Sequence, residues 1–459
     1  MGMDILLVRP PRRNRWDISL CMPPLGLAYI AAAARQAGHS VRILDAYALR
    51  WSWERFAREM ASECVDVMGF SMMTPMKDVV LKAMKICRPH TQKMVVGGPH
   101  PTAVGHQVFE EAPYLDAAIS GEGEQAFVEL LAWWSEQAQG SPPAGVLVRE
   151  HGFRPSQPPP IRKISFPARD LLPNQAYRYI FSTRRRVGTM ITSRGCPFRC
   201  TFCDKSVSGS RWRARTAADV VDEMQEMVER YGIEFINIYD DNFTLHRQRV
   251  IDICDEILRR RLRVHWKCEG RVDAVDLPML EKMKQAGCQV IAYGVESGNR
   301  RSLELLRKDI SIEQSIHAFS LMRTANIRSL AYMMLGIPGE DVGDVQKSIR
   351  FCHEIGADYV QFSSLTAMPG TPISELFASE VSVTNPLDGD LQRQTLTDLE
   401  ARELQQLMRE AWLGFYLRPK QLLRLSTDLW RSGYFREGVF TVGAVGRWRF
   451  SQLLNGSPS

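Results

Sequence analysis

The sequence predicts an α/β protein with an N-terminal doubly wound parallel sheet, a partial (β/α)6 barrel and a helical C-terminal tail. Three observations carry this reading. Strand-like apolar runs alternate with helical stretches up to residue 137, a pattern that calls for a parallel sheet flanked by helices. A second series of such runs begins at Val187, after a proline-rich interruption. The chain has 459 residues, more than one hydrophobic core can serve, so two or three domains are expected.

In the first series, the strand runs fall at 4–8, 41–45, 65–73, 93–97 and 117–120. Helices are expected at 24–38, 53–63, 76–87, 107–111 and 124–137. The first helix carries Leu25, Ala28, Tyr29 and Ala32 on one face and stops at Gly38. Ligands of such sheets bind at the carboxyl ends of the strands. Residues 138–186 read as a linker, punctuated by Gly140-Ser141-Pro142-Pro143 and Gln157-Pro158-Pro159-Pro160. The second series, 187–375, has strand runs at 187–192, 235–239, 263–266, 290–294, 329–335 and 359–363. In barrels the chemistry sits on loops that follow the strands. The C-terminal region, 376–459, offers a helix at 401–417 and then aromatic residues from Trp430 to Phe450 interleaved with arginines. Such a tail reads as a lid over the barrel, with membrane contact as the lesser alternative.

Composition bounds the partners. The 45% hydrophobic and 24% charged fractions are ordinary for a globular chain, and a net charge of +6 gives no reason to expect nucleic acid. No apolar run reaches the roughly 18 residues of a membrane span, and the start of the chain does not read as a signal peptide, so a cytoplasmic location is expected. There, the ten cysteines are expected as thiols, core residues or metal ligands.

Three of them stand apart. Cys196, Cys200 and Cys203 form a CxxxCxxC run directly after the first strand of the second series. A cubane iron–sulfur cluster normally takes four thiolates, so three leave one iron open. A structural zinc site would want four ligands, and no second cysteine pair lies nearby. With the aromatic Phe202 just before the third cysteine, the run resembles the signature of the radical S-adenosylmethionine superfamily, whose barrel is TIM-like. The resemblance implies a 4Fe–4S cluster on these cysteines and S-adenosylmethionine on its open iron. It extends through Asp240, Asp241 and Asn242 after the second strand, Arg271 after the third, Glu296 and Ser297 after the fourth, and Ile337, Pro338 and Gly339 after the fifth. In that family these segments meet the amino, carboxylate, ribose and adenine parts of S-adenosylmethionine. Arg271 is expected at the methionine carboxylate.

The first domain resembles the Rossmann-like cobalamin-binding domain fused to many members of that superfamily. The matching pieces contain Leu25 and Gly26, Ser71 and Thr74, Gly97, Gly98 and His100, and Gly121 and Glu122. Glycine at strand ends lets a large planar ligand approach the backbone. The DxHxxG pattern of His-ligated cobalt is absent, because Gly98 and Ala103 flank His100 at the required positions. His100 is therefore expected near the corrin and not as an axial ligand. Arg211, Arg213 and Arg215 either neutralise anionic groups or sit at a domain interface.

Together the resemblances imply a cobalamin-dependent radical enzyme, foremost a methyltransferase acting on an unactivated carbon or a phosphinate of a small molecule. Its partners would be that substrate and an external one-electron donor. An oxidative cyclase or ring-rearranging enzyme with the same cofactors is the alternative, and a non-catalytic cobalamin or iron–sulfur sensor is the alternative of another class. No residue is assigned an acid–base role, and nothing in the sequence names the substrate.

Overall fold

Strand β1 (Asp4–Arg9) buries four consecutive apolar residues and so must be covered on both faces. It lies between the parallel strands β2 (Ser40–Asp45) and β3 (Val65–Ser71). Next come β4 (Thr91–Gly97) and β5 (Ala117–Ile119), giving the order β2-β1-β3-β4-β5 with its reversal between β1 and β3. Helices α1 (Leu25–Gln36) and, later in the chain, α6 (Gly123–Ser135) cover one face, where Ile5, Leu7, Val67 and Val95 meet Leu27, Ala31, Phe127 and Leu130. Helices α2 (Trp53–Met60), α3 (Lys77–Cys87), α4 (Pro99–Val104) and α5 (Val108–Glu111) follow the intervening strands. The other face packs Leu6, Val8, Met68 and Val96 against Phe56, Met84 and Phe109. Alternate residues of each strand thus feed two cores. The computed structural model describes residues 2–13, 21–179, 181–182, 184–377, 396–397 and 399–432.

The span read as a linker is more structured than its composition suggests. Residues Val146–Leu147 form β6, an antiparallel edge strand on β5. Further on, the Ala168 amide donates to the Ala28 carbonyl at 2.9 Å, and the buried Tyr177 hydroxyl donates to Asp45 at 2.9 Å. Prolines set this path, but tertiary contacts fix it to the first domain.

The second domain is a six-stranded parallel sheet in the order β14-β13-β12-β11-β10-β7. It begins with β7 (Val187–Met190), a ribbon of β8 (Ser193–Arg194) and β9 (Arg213–Ala214), and α7 (Ala217–Tyr231). Then come β10 (Phe235–Ile238), α8 (Arg247–Arg259), β11 (His265–Gly270), α9 (Leu277–Gln285), β12 (Cys288–Glu296), α10 (Arg300–Leu305) and α11 (Ile312–Thr324). The series closes with β13 (Arg328–Leu335), α12 (Val342–Glu354), β14 (Tyr359–Ser364) and α13 (Pro372–Leu376). Local chemistry explains the helix ends. Thr216 caps α7 by accepting the Asp219 amide, Gly232 ends it at φ +61, and an Asp341/Asp344 capping box starts α12.

After α14 (Ala401–Tyr416) the chain makes a separate helix, α15 (Pro419–Ser432), that residue periodicity did not resolve. It is pinned to the barrel by Asp428, which pairs with Arg328 at 2.6 Å. The tail aromatics from Tyr434 to Phe450, like Trp16 of the first loop, lie outside the described residues.

Candidate active site

The cysteine loop leaves β8 at Gly195, where φ is +85 and a Cβ would run into the Arg211 carbonyl oxygen. Only glycine makes that turn without strain. The loop is then tied on several sides. The Gly195 amide donates to Asp241 at 2.9 Å and the Cys196 amide to the Gly209 carbonyl at 3.3 Å. Thr201 exchanges backbone bonds with Leu306 and Ile373, and the Arg271 guanidinium lies 3.6 Å from the Phe198 ring centroid.

Burial, with the other two thiols as neighbours, pushes the Cys203 thiol up to about 11, and burial raises Cys196 as well. Among the described residues no three His, Cys, Asp or Glu side chains converge on a single-ion site. The three thiols lie near enough to act on one another's protonation, and soft sulfur donors on one short loop are the ligand type an iron–sulfur centre takes. The donor set fits the cluster that the sequence implies.

The surrounding segments divide into those open to a ligand and those that hold the frame. Asn242 is buried, its Oδ1 accepts from Thr244 at 3.2 Å, and among the described residues its Nδ2 has no partner. A buried unpartnered donor beside the loop fits an acceptor on a ligand. Asp241 sits at the barrel mouth, where desolvation and the nearby Asp240 and Glu269 raise its pKa against the Gly195 hydrogen bond. Ile337 and Phe202 share one apolar cluster with Leu306 and Ile373, and Glu340 shapes the Ile337-Pro338-Gly339 turn by accepting the Gly336 and Ile337 amides.

Three expectations change. Asp240 is buried and accepts from the Thr192 amide, the Thr192 hydroxyl and the Ser193 hydroxyl at 2.5–2.6 Å. It fastens the approach to the cysteine loop and is engaged within the protein. Ser297 is fully buried, bonded to Ser348 at 3.0 Å. Arg271 binds Asp273 and the carbonyls of Lys308 and Asp309, so its guanidinium braces Phe198 instead of standing free for a carboxylate. Adjacent letters in a motif alternate in direction, and sequence cannot say which side chain turns inward.

Glu296, at φ +66, pairs with Lys308 at 2.7 Å, in a space that a Cβ on Gly294 would fill. Burial opposes the Lys308 charge, but Glu296 and the nearby Cys200 outweigh it and raise its pKa. The Lys308 ammonium stands 5.6 Å from the Phe202 ring centroid. Sequence reading missed Lys308 because it follows α10 and not a strand.

At the reversal between β1 and β3, the first domain opens a cleft of about 270 Å³. Gly26, Ser71, Gly97, Gly98, Gly121 and Glu122 line it. Gly98 has φ +105, and a Cβ there would meet the Met72 carbonyl. Leu25, Thr74 and His100 do not line the cleft. Leu25 is buried in α1. Both His100 ring nitrogens are engaged, one with Glu111 at 2.8 Å and the other with Thr74 at 3.1 Å. That engagement ties the ring to the first domain's own side chains, outside the cleft lining.

The far wall of the cleft belongs to the second domain: Ile191, Arg194, Val207 and Ser208. Arg194 pairs with Glu122 at 2.9 Å and Glu124 at 2.6 Å, and Arg213 also pairs with Glu122. Buried Glu223 binds both Arg169 and Arg215. Of the arginines after the cysteine loop, Arg213 therefore serves the domain interface, whereas Arg215 pairs with Asp219 and Glu223 of α7 within the barrel domain. Glu122 serves that interface through its carboxylate.

Comparison with known proteins agrees with this geometry. Residues 190–352 match the radical SAM superfamily, and residues 16–131 match the B12 binding domain. An uncharacterized methyltransferase of Pyrococcus horikoshii is 32% identical over 92% of this chain and 94% of its own. The chain belongs to the cobalamin-binding radical S-adenosylmethionine enzymes. Its cofactors are a 4Fe–4S cluster, S-adenosylmethionine and cobalamin.

Other members diverge in their reactions. The cytidylyl-2-hydroxyethylphosphonate methyltransferase of Streptomyces wedmorensis is 27% identical over 80% of this chain and 79% of its own. The anaerobic magnesium-protoporphyrin IX monomethyl ester cyclase of Cereibacter sphaeroides is 27% identical over 83% of this chain and 64% of its own. Among solved structures, a cobalamin-dependent S-adenosylmethionine radical enzyme superposes with a TM-score of 0.74 at 18% identity, over 93% of this chain and 70% of its own. At that identity the likeness is one of fold.

Proposed function

We propose that this enzyme is a methyltransferase that acts on an unactivated carbon, or a phosphinate, of a small molecule. The observation that carries the reading is the shared wall: residues of the cysteine loop's own domain close the cleft of the cobalamin domain. Two cofactor sites that share a wall suit transfer of a group from one to the substrate activated at the other. When bound, the cofactors would supply the methyl group to be transferred and the radical chemistry that removes a hydrogen atom.

The chain's own part is positioning. Cys196, Cys200 and Cys203 would hold the cluster, and Asn242 Nδ2 would donate to S-adenosylmethionine. Phe202 and Ile337 would wall its adenosyl part, with Asp241, Glu296, Pro338 and Gly339 nearby. Gly26, Ser71, Gly97, Gly98 and Gly121 would let cobalamin lie against backbone. Reducing equivalents would come from an external one-electron donor, which with the reduced cysteines suits the cytoplasm. No helix among the described residues is long and apolar enough to cross a membrane.

The test is anaerobic turnover of reconstituted enzyme with reductant and S-adenosylmethionine across candidate substrates. The expected result is S-adenosylhomocysteine together with 5′-deoxyadenosine. 5′-Deoxyadenosine alone, with a cyclised product, would move the enzyme to the cyclase group. Neither product under any condition would leave a sensor.

A further inference from the structure

The concave face of the barrel sheet carries a polar network that the cofactor contacts leave unused. Its lower end is closed by Tyr179 and Phe181, which pack on Phe235 and Tyr359 at 6.2 Å and 4.9 Å between ring centroids. Above this plug, the fully buried Lys267 donates to Glu269 Oε1 at 3.1 Å and Asn237 Oδ1 at 3.4 Å. The Tyr332 hydroxyl donates to the same Glu269 oxygen at 2.9 Å, reaching across β12 where the residues in register are the small Ala292 and Gly294. Among the described residues no group bonds Glu269 Oε2, and the side chain keeps 29% of its exposure.

Tyr239, Gln361 and Ser363 are exposed on this same face, whereas Ile238, Cys268, Met333 and Phe362 on the opposite face are buried. Glu269 is also near enough to Asp241 to influence its protonation, so the network lies beneath the mouth that holds the cysteine loop. An apolar ligand covering this face would leave several hydrogen-bonding groups desolvated and unpaired. An anionic one would meet Glu269 and Asp241, while Lys267 is already paired and out of reach.

We propose that this face recognises the substrate, and that the substrate is a polar small molecule bearing a hydroxyl or ammonium donor that Glu269 Oε2 accepts. This deepens the methyltransferase reading and rests on its use of the barrel as the reaction chamber.

The test is ligand-observed NMR on reconstituted holoenzyme with ethanolamine, glycolate and toluene as probes. Ethanolamine should bind, glycolate and toluene should not, and E269Q should weaken ethanolamine at least tenfold. Because E269Q leaves Lys267 buried without its charge partner, the double variant K267M/E269Q removes both charges together and should show the same loss with its cluster absorbance intact. Unchanged ethanolamine binding in both variants, preference for glycolate or toluene, or no ethanolamine binding at all would overturn the assignment. Formation of 5′-deoxyadenosine is followed on the same protein with reductant and S-adenosylmethionine across candidate substrates: its absence under every condition, with ethanolamine binding intact, would sink the reaction reading and leave the recognition face standing.

Discussion

Asn242 and Asp240 stand two positions apart, yet they answer to different demands. Asn242 is buried with a free amide donor, and Asp240 is buried with its carboxylate engaged by Thr192 and Ser193. Replacing Asn242 with Ala should lower S-adenosylmethionine affinity about tenfold, near 1.4 kcal/mol, with iron content unchanged. Asp240→Asn should instead loosen the approach to the loop and reduce iron retention. Calorimetric titration and iron assay on the two variants separate these roles, and identical phenotypes would contradict the division. Glu111 offers a pH test. Burial works to raise its pKa, but hydrogen bonds from His100 and Lys77 outweigh that and hold it below the ordinary glutamate value. A carboxylate depressed in the fold stabilises it above its unfolded pKa, about 4.3, and loses that contribution as pH falls through the folded value. Denaturant melts should therefore show wild type losing stability below pH 4.5 more steeply than Glu111→Gln.

Helix α1 joins local propensity to a binding cleft. Gly26 lies in its first turn, lines the cleft, and has open space where a Cβ would go. Glycine is a poor helix former, so a larger residue costs the helix nothing and gains some tenths of a kcal/mol up to about 1. Gly26→Leu should fold normally, bind the cluster, and lose cobalamin because its side chain fills the cleft. Corrinoid content of purified protein checks this, and full cobalamin loading would remove Gly26 from the site. The alternating elements were readable because strands and helices obey different periods, and five of the six barrel strands fall where apolar runs place them, whereas β11 (His265–Gly270) shares only two residues with the expected 263–266. The two-residue strand β6 was not readable. It gains its regularity from pairing with β5 and not from its own pattern. Helix α15 was missed as a separate element for a related reason. Its apolar residues lie on one side, but Leu422, Leu423 and Trp430 of that side are exposed, so its periodic pattern marks no buried core face.

Across the whole molecule, two domains meet through buried ion pairs centred on Arg194, two residues before Cys196. Arg194→Ala would leave Glu122 with Arg213 alone and Glu124 without its barrel partner. Loss of one member of a buried pair costs about 3–5 kcal/mol, so the variant should melt earlier and expose the 138–186 span to limited proteolysis. An unchanged melting temperature and digestion pattern would show that the interface does not depend on this residue.

By itself the sequence determined the α/β architecture, because periodicity along elements is written in local spacing, and its CxxxCxxC run and strand-end segments carried the family resemblance that implied two cofactor domains. Only the tertiary structure decided direction and partnership. It turned Asp240, Ser297 and His100 into the frame, brought Lys308 from behind a helix to the cysteine loop, and joined Lys267 and Glu269 of β11 to Tyr332 of β13. The physical reason is that a buried polar group must find its partner wherever the fold supplies one, and that partner lies as many as 63 residues away for Glu269.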